Sequence, residues 1–218
     1  MNTVNKTLKP FYIYTDKNCL YIKNINEDTE KLSNKIYAYS ANIDNKNKIH
    51  ICCIDTSGRL IHFYNNNGKW IKRVIHRFFN NVKNIKDLRL YITNHLFNVF
   101  IVESNPLSEN LYKVSHINFD SNSYKSSRFN INNILKDKEF FYKLNIDELS
   151  NIILEYKSKN SLSRHVFNNT IIFNISSRKW INTNSFMRNN NSTTEENLSS
   201  SDIKDDLFEY CYSIKYKL

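Results

Sequence analysis

The residues YAYSANIDNKNKIHICCIDTSGRLIHFYNNNGKWIKRVI, positions 37–75, decide the fold class. Residues 37–43 read as a strand, and Asp44-Asn45-Lys46-Asn47 as a turn. Residues 49–54 form a second strand, almost wholly apolar, as expected where both faces are covered. Asp55-Thr56-Ser57-Gly58 then turns into a strand over 60–64, and Asn65-Asn66-Asn67-Gly68 turns into another over 69–75. Asn, Asp and Gly tolerate the positive φ that tight hairpins demand, so this stretch predicts a four-stranded antiparallel meander. Cys52 and Cys53 point to opposite faces of such a strand and make poor disulfide partners. With Cys19 and Cys211 they form no metal-ligand spacing, so reduced thiols are expected.

The pattern recurs outward from there. Asn42-Ile43-Asp44 and Lys48-Ile49-His50-Ile51 reappear as Asn145-Ile146-Asp147 and Asn151-Ile152-Ile153-Leu154. Between them, Leu90-Tyr91-Ile92-Thr93 and Phe97-Asn98-Val99-Phe100-Ile101 fall into the same frame. A period of about 50 residues built from short strands is the mark of propeller blades. The expected fold is therefore all-β, a β-propeller of four-stranded repeats with four blades closed by the termini, or an incomplete ring. A half unit (9–35) would precede units at about 36–80, 85–134 and 137–186. The second unit reads as strands at 88–93, 97–103, 111–117 and 124–129, the third as 141–147, 152–157, 165–173 and 180–182. Residues 187–204 read as a polar linker or long loop. Residues 205–218 alternate Phe208, Tyr210, Tyr212, Ile214 and Tyr216 with polar positions, a strand pattern that also admits a short helix. As a strand, its expected place is beside the N-terminal half unit.

Composition narrows function by exclusion. Two glycines in 218 residues leave no room for a Walker loop, a dinucleotide fingerprint or a nucleophile elbow. Thirty-six asparagines supply the next best residue for left-handed turns, and an AT-rich genome would favour them too. The formal net charge of +10 divides unevenly: residues 189–218 hold three lysines and six acidic residues, leaving +13 on the first 188. So basic a domain can attract nucleic acid or another polyanion, or simply carry a solvated surface. Neither a secretory leader nor an apolar stretch of about 18 residues is present, so a cytoplasmic protein without a membrane span is expected.

The units resemble uncharacterised β-propeller-like repeat proteins of AT-rich, low-GC bacteria of clostridial type. The matching residues are Asp44…Lys48-Ile49-His50-Ile51, Asp55-Thr56-Ser57-Gly58-Arg59-Leu60, Asn67-Gly68-Lys69-Trp70, Leu90-Tyr91-Ile92-Thr93-Asn94 and Arg178-Lys179-Trp180. The resemblance covers about residues 11–186 and implies a propeller of WD40-like or sialidase-like architecture. It carries no function residue by residue. Asp55-Thr56-Ser57-Gly58 is part of a sialidase-type Asp box, with Leu60-Ile61 where an aromatic would follow, and that box is structural.

Few residues offer chemistry. His62, His116 and His165 fall in or near the third strand of successive units, as a repeated packing role or a ligand contact would require. Equivalent blade positions sit apart around a ring, so no metal and no cofactor is expected. His50, His76 and His95 have no partner within motif distance. Trp70 and Trp180 open the fourth strands, as stacking platforms for sugars or as wedges between blades. Arg73 and Arg77 could meet an anion or serve only the surface. A retaining glycosidase needs two carboxylates about 5 Å apart, and the sequence nominates no pair and no catalytic residue. The expected function is a non-catalytic recognition module or scaffold, monomeric or dimeric. The alternatives are a carbohydrate-binding propeller or a module for nucleic acid or another polyanion, and the partner is a glycan, a protein or a nucleic acid.

Overall fold

The computed structural model describes residues 12–183 apart from residues 25–27, 94, 107, 109, 139 and 160–164. The expected linker at 187–204 and the strand or helix at 205–218 lie outside the described residues. Among the described residues the chain is all-β and antiparallel, with one turn of 3-10 helix at Val82–Asn84. They fall into two compact units. One holds the described residues up to Pro106 together with Val114–Asn130; the other holds those of Ser108–Lys113 and from Ile131 onward.

The first unit opens with a three-stranded sheet, β1 (Tyr12–Asp16), β2 (Cys19–Lys23) and β3 (Thr29–Ser33). Two strands are expected there from sequence. The third was hidden because TEKLS carries one apolar residue, Leu32. The meander that decides the fold follows as β4 (Ile36–Ile43), β5 (Ile49–Asp55), β6 (Arg59–Asn66) and β7 (Lys69–Arg77), paired in chain order. Next come β8 (Ile85–Thr93), β9 (Leu96–Ser104), β10 (Leu111–Asp120, in this unit from Val114) and β11 (Ser126–Leu135, in this unit to Asn130), again hydrogen-bonded in chain order.

Strand β5 explains why its sequence is apolar on both faces. Ile51 and Cys53, with Ile61 and Phe63 of β6, pack on Leu20, Ile22 and Ile36. Cys52 and Ile54, with Leu60, pack on Leu88, Leu90, Phe97, Val99, Ile101, Ile117 and Phe119. The β4–β7 sheet is thus covered on both sides, by the sheet before it and the sheet after it. The two cysteines do face opposite ways, and Cys19, Cys52 and Cys53 are free thiols.

The second unit is a smaller meander of β12 (Lys143–Ile146), β13 (Ile152–Lys159), β14 (Val166–Asn174) and β15 (Lys179–Asn182). Strand β13 pairs β12 along Glu155–Ile152 and the end of β11 at Ser158 and Lys157. Its described buried apolar residues are Ile134, Ile152, Leu154, Ile171 and Phe173.

The turns use asparagine and aspartate in different ways. Asn18, Asn47, Asn67 and Asn110 take positive φ themselves, as does Asn133 within strand β11. Aspartates instead accept from backbone N–H groups: Asp44 Oδ1 from Lys46 and Lys48, Asp55 Oδ1 from Ser57 and Arg59, Asp120 Oδ1 from Asn122 and Ser123. The turns at Asp44 and Asp147 are built alike. In each, the Asp N–H donates to the carbonyl four residues on (Lys48 or Asn151), and the intervening Asn47 or Ser150 has positive φ and donates back.

Sheet-to-sheet joins are hydrogen-bonded too. The Gly58 carbonyl accepts from Phe78 and Phe79 as the chain leaves β7, and the Asn18 carbonyl accepts from Ile36 as the chain enters β4. On that equivalence β1, β2 and β3 match β5, β6 and β7, and the first sheet lacks a counterpart of β4. Arg128 fastens β11: its guanidinium donates to the Phe78 carbonyl (2.8 Å), Ser115 Oγ (2.9 Å), Asn130 Oδ1 (3.1 Å) and Glu103 (3.3 Å), over the Phe79 ring.

No closed barrel or propeller is found among the described residues. No helix among them is long and apolar enough to cross a membrane.

Candidate functional site

The polar centre of the first unit starts from alternation in β5 and β6. His50 faces the same side as Cys52, and His62 the same side as Tyr64, in the register His50↔Tyr64 and Cys52↔His62. The two histidines are therefore diagonal neighbours. Their rings stack at 5.2 Å, with His50 Nδ1 3.0 Å from His62 Nε2. His50 Nε2 lies 3.2 Å from Asp44 Oδ2. Phe97 of β9 closes over both rings at 4.8 and 4.5 Å, and Phe119 of β10 meets His62 edge-on.

Electrostatics fixes the proton positions. Burial raises the Asp44 carboxyl, but the Lys48 and Lys46 N–H groups and the His50 ring outweigh it and hold Asp44 below the usual range. An ionised Asp44 only accepts, so His50 Nε2 carries a proton and donates to it. Burial lowers His50, against the pull of Asp44, so its Nδ1 is bare and accepts from His62 Nε2–H. Burial first, then the neighbouring His50, pushes His62 down to about 3. His62 Nδ1 is left as a buried acceptor with no described partner.

A second polar chain occupies the matching place in β8–β10. Asn98 Nδ2 donates to Thr93 Oγ1 (2.8 Å), and His116 Nε2 lies 3.0 Å from Asn98 Oδ1. The His116 ring stacks on Phe100 at 4.5 Å, and burial pushes it down to about 3. The Asn118 side chain, also fully buried, has no described hydrogen-bond partner at either amide atom. Both chains join a turn or strand end, a position in the second strand and a third-strand histidine. Neither reaches an exposed nucleophile: His62 is 1% exposed and His116 0%. Their chemical use on this geometry is to satisfy buried polar groups between apolar sheets.

The structure places the residues singled out by sequence as follows. His62 and His116 are buried, whereas His165 is exposed just ahead of β14. Trp70 is half-buried against the Leu20–Phe63 cluster, and Trp180 rests on Phe173 at 5.3 Å. Each tryptophan thus packs on its own sheet. Arg73 is exposed and in register with His62; Arg77 is exposed and in register with Arg59. Arg73 draws down the Tyr124 hydroxyl, which burial and Tyr64 push up to about 12. His62 and Arg73 are thereby brought to one place.

His50 is the correction. The sequence gives it no partner at motif distance, yet it bridges Asp44 and His62, because pairing across a hairpin brings together residues twelve apart. Asn98 and Asp44 were equally missed. Among the described residues no three His, Cys, Asp or Glu side chains converge as metal ligands.

Strand β7 is the other notable surface. It carries Lys69, Lys72, Arg73, His76 and Arg77, with no acidic residue. Lys69, Arg73 and Arg77 make no ion pair with any described residue. No protein-family model matches the chain, and no curated protein matches it.

Proposed function

We propose that the chain is a non-catalytic recognition module of β-propeller type, related to the repeat proteins its units resemble, working in the cytoplasm with reduced thiols. The observation that carries this reading is the division of polar groups. His50, His62 and His116 sit inside the sheets in hydrogen-bonded chains, while Lys69, Arg73 and Arg77, with no ion pair among the described residues, stand on the outer strand β7. Four blades of about 50 residues would account for the three sheets of three, four and eight strands, the last counted as two blades joined where β11 pairs with β13. The first blade takes its missing strand from residues 205–218, laid along β1, which removes an open edge. Deleting those residues is expected to cost about 2 kcal/mol in urea unfolding, from apolar area re-exposed. A peptide of the same residues added in trans restores the midpoint. An unchanged midpoint after deletion rejects this closure.

The β7 cations favour an anionic ligand over a sugar platform, since both tryptophans are engaged in packing. The test is heparin binding at low ionic strength. Affinity falls steeply with added salt, and Lys69, Lys72, Arg73 and Arg77 exchanged together for Gln lower it more than tenfold. Absence of salt-dependent binding removes the anionic reading.

A further inference from the structure

Strand β7 is hydrogen-bonded along one side to β6, from Asn66↔Lys69 to Arg59↔Arg77. Among the described residues nothing else bonds to its backbone. Other strand edges in the same unit are treated differently. In β8 the Leu90 N–H donates to Ser40 Oγ (3.0 Å), and the Leu90 carbonyl accepts from Asn42 Nδ2 (3.1 Å). In β1 the Ile13 carbonyl accepts from the Tyr39 hydroxyl (2.8 Å). Side chains of a neighbouring sheet meet each of those edges at one residue. Among the described residues the β7 edge presents unpaired N–H and C=O groups in alternation, which is a template for another strand.

The side chains select the strand's chemistry. Arg73 lies in register with His62 and Lys72 with Phe63, so cations project from both faces of β7. Lys72 touches only neutral partners, Ser33 Oγ at 3.2 Å and the Phe63 ring at 5.7 Å. Val74, 51% exposed, gives an apolar contact at mid-strand. A strand added here puts its side chains about 5 Å from these residues, on both faces. Carboxylates at that distance match the cations, and the amides of a peptide match the backbone edge. A nucleic acid would neutralise the cations and leave the backbone groups unmet.

We infer that β7 is the docking edge for an extended acidic peptide, which adds to the β4–β7 sheet as a fifth strand. This rests on the anionic-ligand reading and narrows it to one class of partner. The competing role for the same cations is to blunt the edge against self-association.

The experiment titrates the full chain with a fluorescent peptide of repeated Glu-Glu-Thr-Val, with heparin and a single-stranded oligonucleotide in parallel. The acidic peptide binds, and its affinity falls roughly tenfold in Arg73→Gln/Arg77→Gln, two exposed positions whose exchange spares the core. The same peptide N-methylated at alternate residues, so that one row of donors is lost, does not bind. Equal binding of the methylated peptide overturns strand addition. So does binding of heparin or the oligonucleotide without the acidic peptide, although the anionic reading then survives. If none of the three binds, both readings fall. Self-association of Arg73→Gln/Arg77→Gln in light scattering, with no peptide affinity in the parent chain, also overturns the inference and leaves the cations as guards.

Discussion

Gly58→Ala unfolds at markedly lower urea than the parent chain, with a loss of about 3 kcal/mol or more. Two effects combine at this residue. Its φ of +78 lies in the left-handed region, where an alanine costs about 1 kcal/mol. A Cβ there would also sit 1.8 Å from the Phe79 carbonyl oxygen, backbone that cannot rotate aside. Moving that carbonyl disturbs the bonds from the Phe78 and Phe79 N–H groups to Gly58. Gly68 separates the two effects. Its φ is +85, yet nothing lies within 4 Å of a built Cβ. Gly68→Ala should therefore lose about 1 kcal/mol, the conformational cost by itself. Equal losses in the two variants would mean that the close approach at Gly58 is accommodated and the join is soft.

The second large effect is acid sensitivity. His62 and His116 are each pushed from an ordinary 6.5 down to about 3 by burial. A base with a depressed folded pKa adds stability that is present above pH 6.5 and lost as pH falls toward 3, because the unfolded chain takes up the proton first. Between pH 7 and pH 5, mostly above carboxylate titration, each histidine removes about 2 kcal/mol, so together they remove about 4. Asp44 works in the same direction lower down, since its carboxyl is held below its ordinary value. Urea unfolding at pH 7, 6 and 5 measures the slope. His116→Gln and His62→Gln should each flatten it by somewhat less than half, since His50, also lowered by burial, adds to the slope, whatever they cost at pH 7. An unchanged slope in both would show that other groups set the acid limit.

Much of this fold is written in local pattern, and what is not local was missed. The strands of the deciding meander appear within a residue or two of their expected bounds, because alternation and Asn/Asp/Gly turns are both short-range signals. The turn at Asp147 copies that at Asp44 down to its donors, so a recurring tripeptide was enough to find it. Strand β3 escaped because an exposed edge strand can be nearly all polar. Tyr124, expected to open a strand, instead takes φ 54 in the turn before β11, where its ring stacks on Phe119. The Asp44–His50–His62 chain needed the hairpin register and the aromatic cover from β9 and β10, neither of which is encoded near the histidines. The cations of β7 were visible as basic residues, but that Lys69, Arg73 and Arg77 make no ion pair among the described residues belongs to tertiary structure.

The carbonyls of Asn18 and Gly58 each receive the chain as it leaves one sheet for the next. A sheet so joined cannot melt without releasing the first residues of its successor. Stability in this unit is therefore shared between neighbours, as in a row of coupled elements where the interface term decides how far a local opening spreads. Damage to one turn travels along the chain by contact, and the connections between sheets, usually the loosest part of a β-protein, become its points of cooperativity.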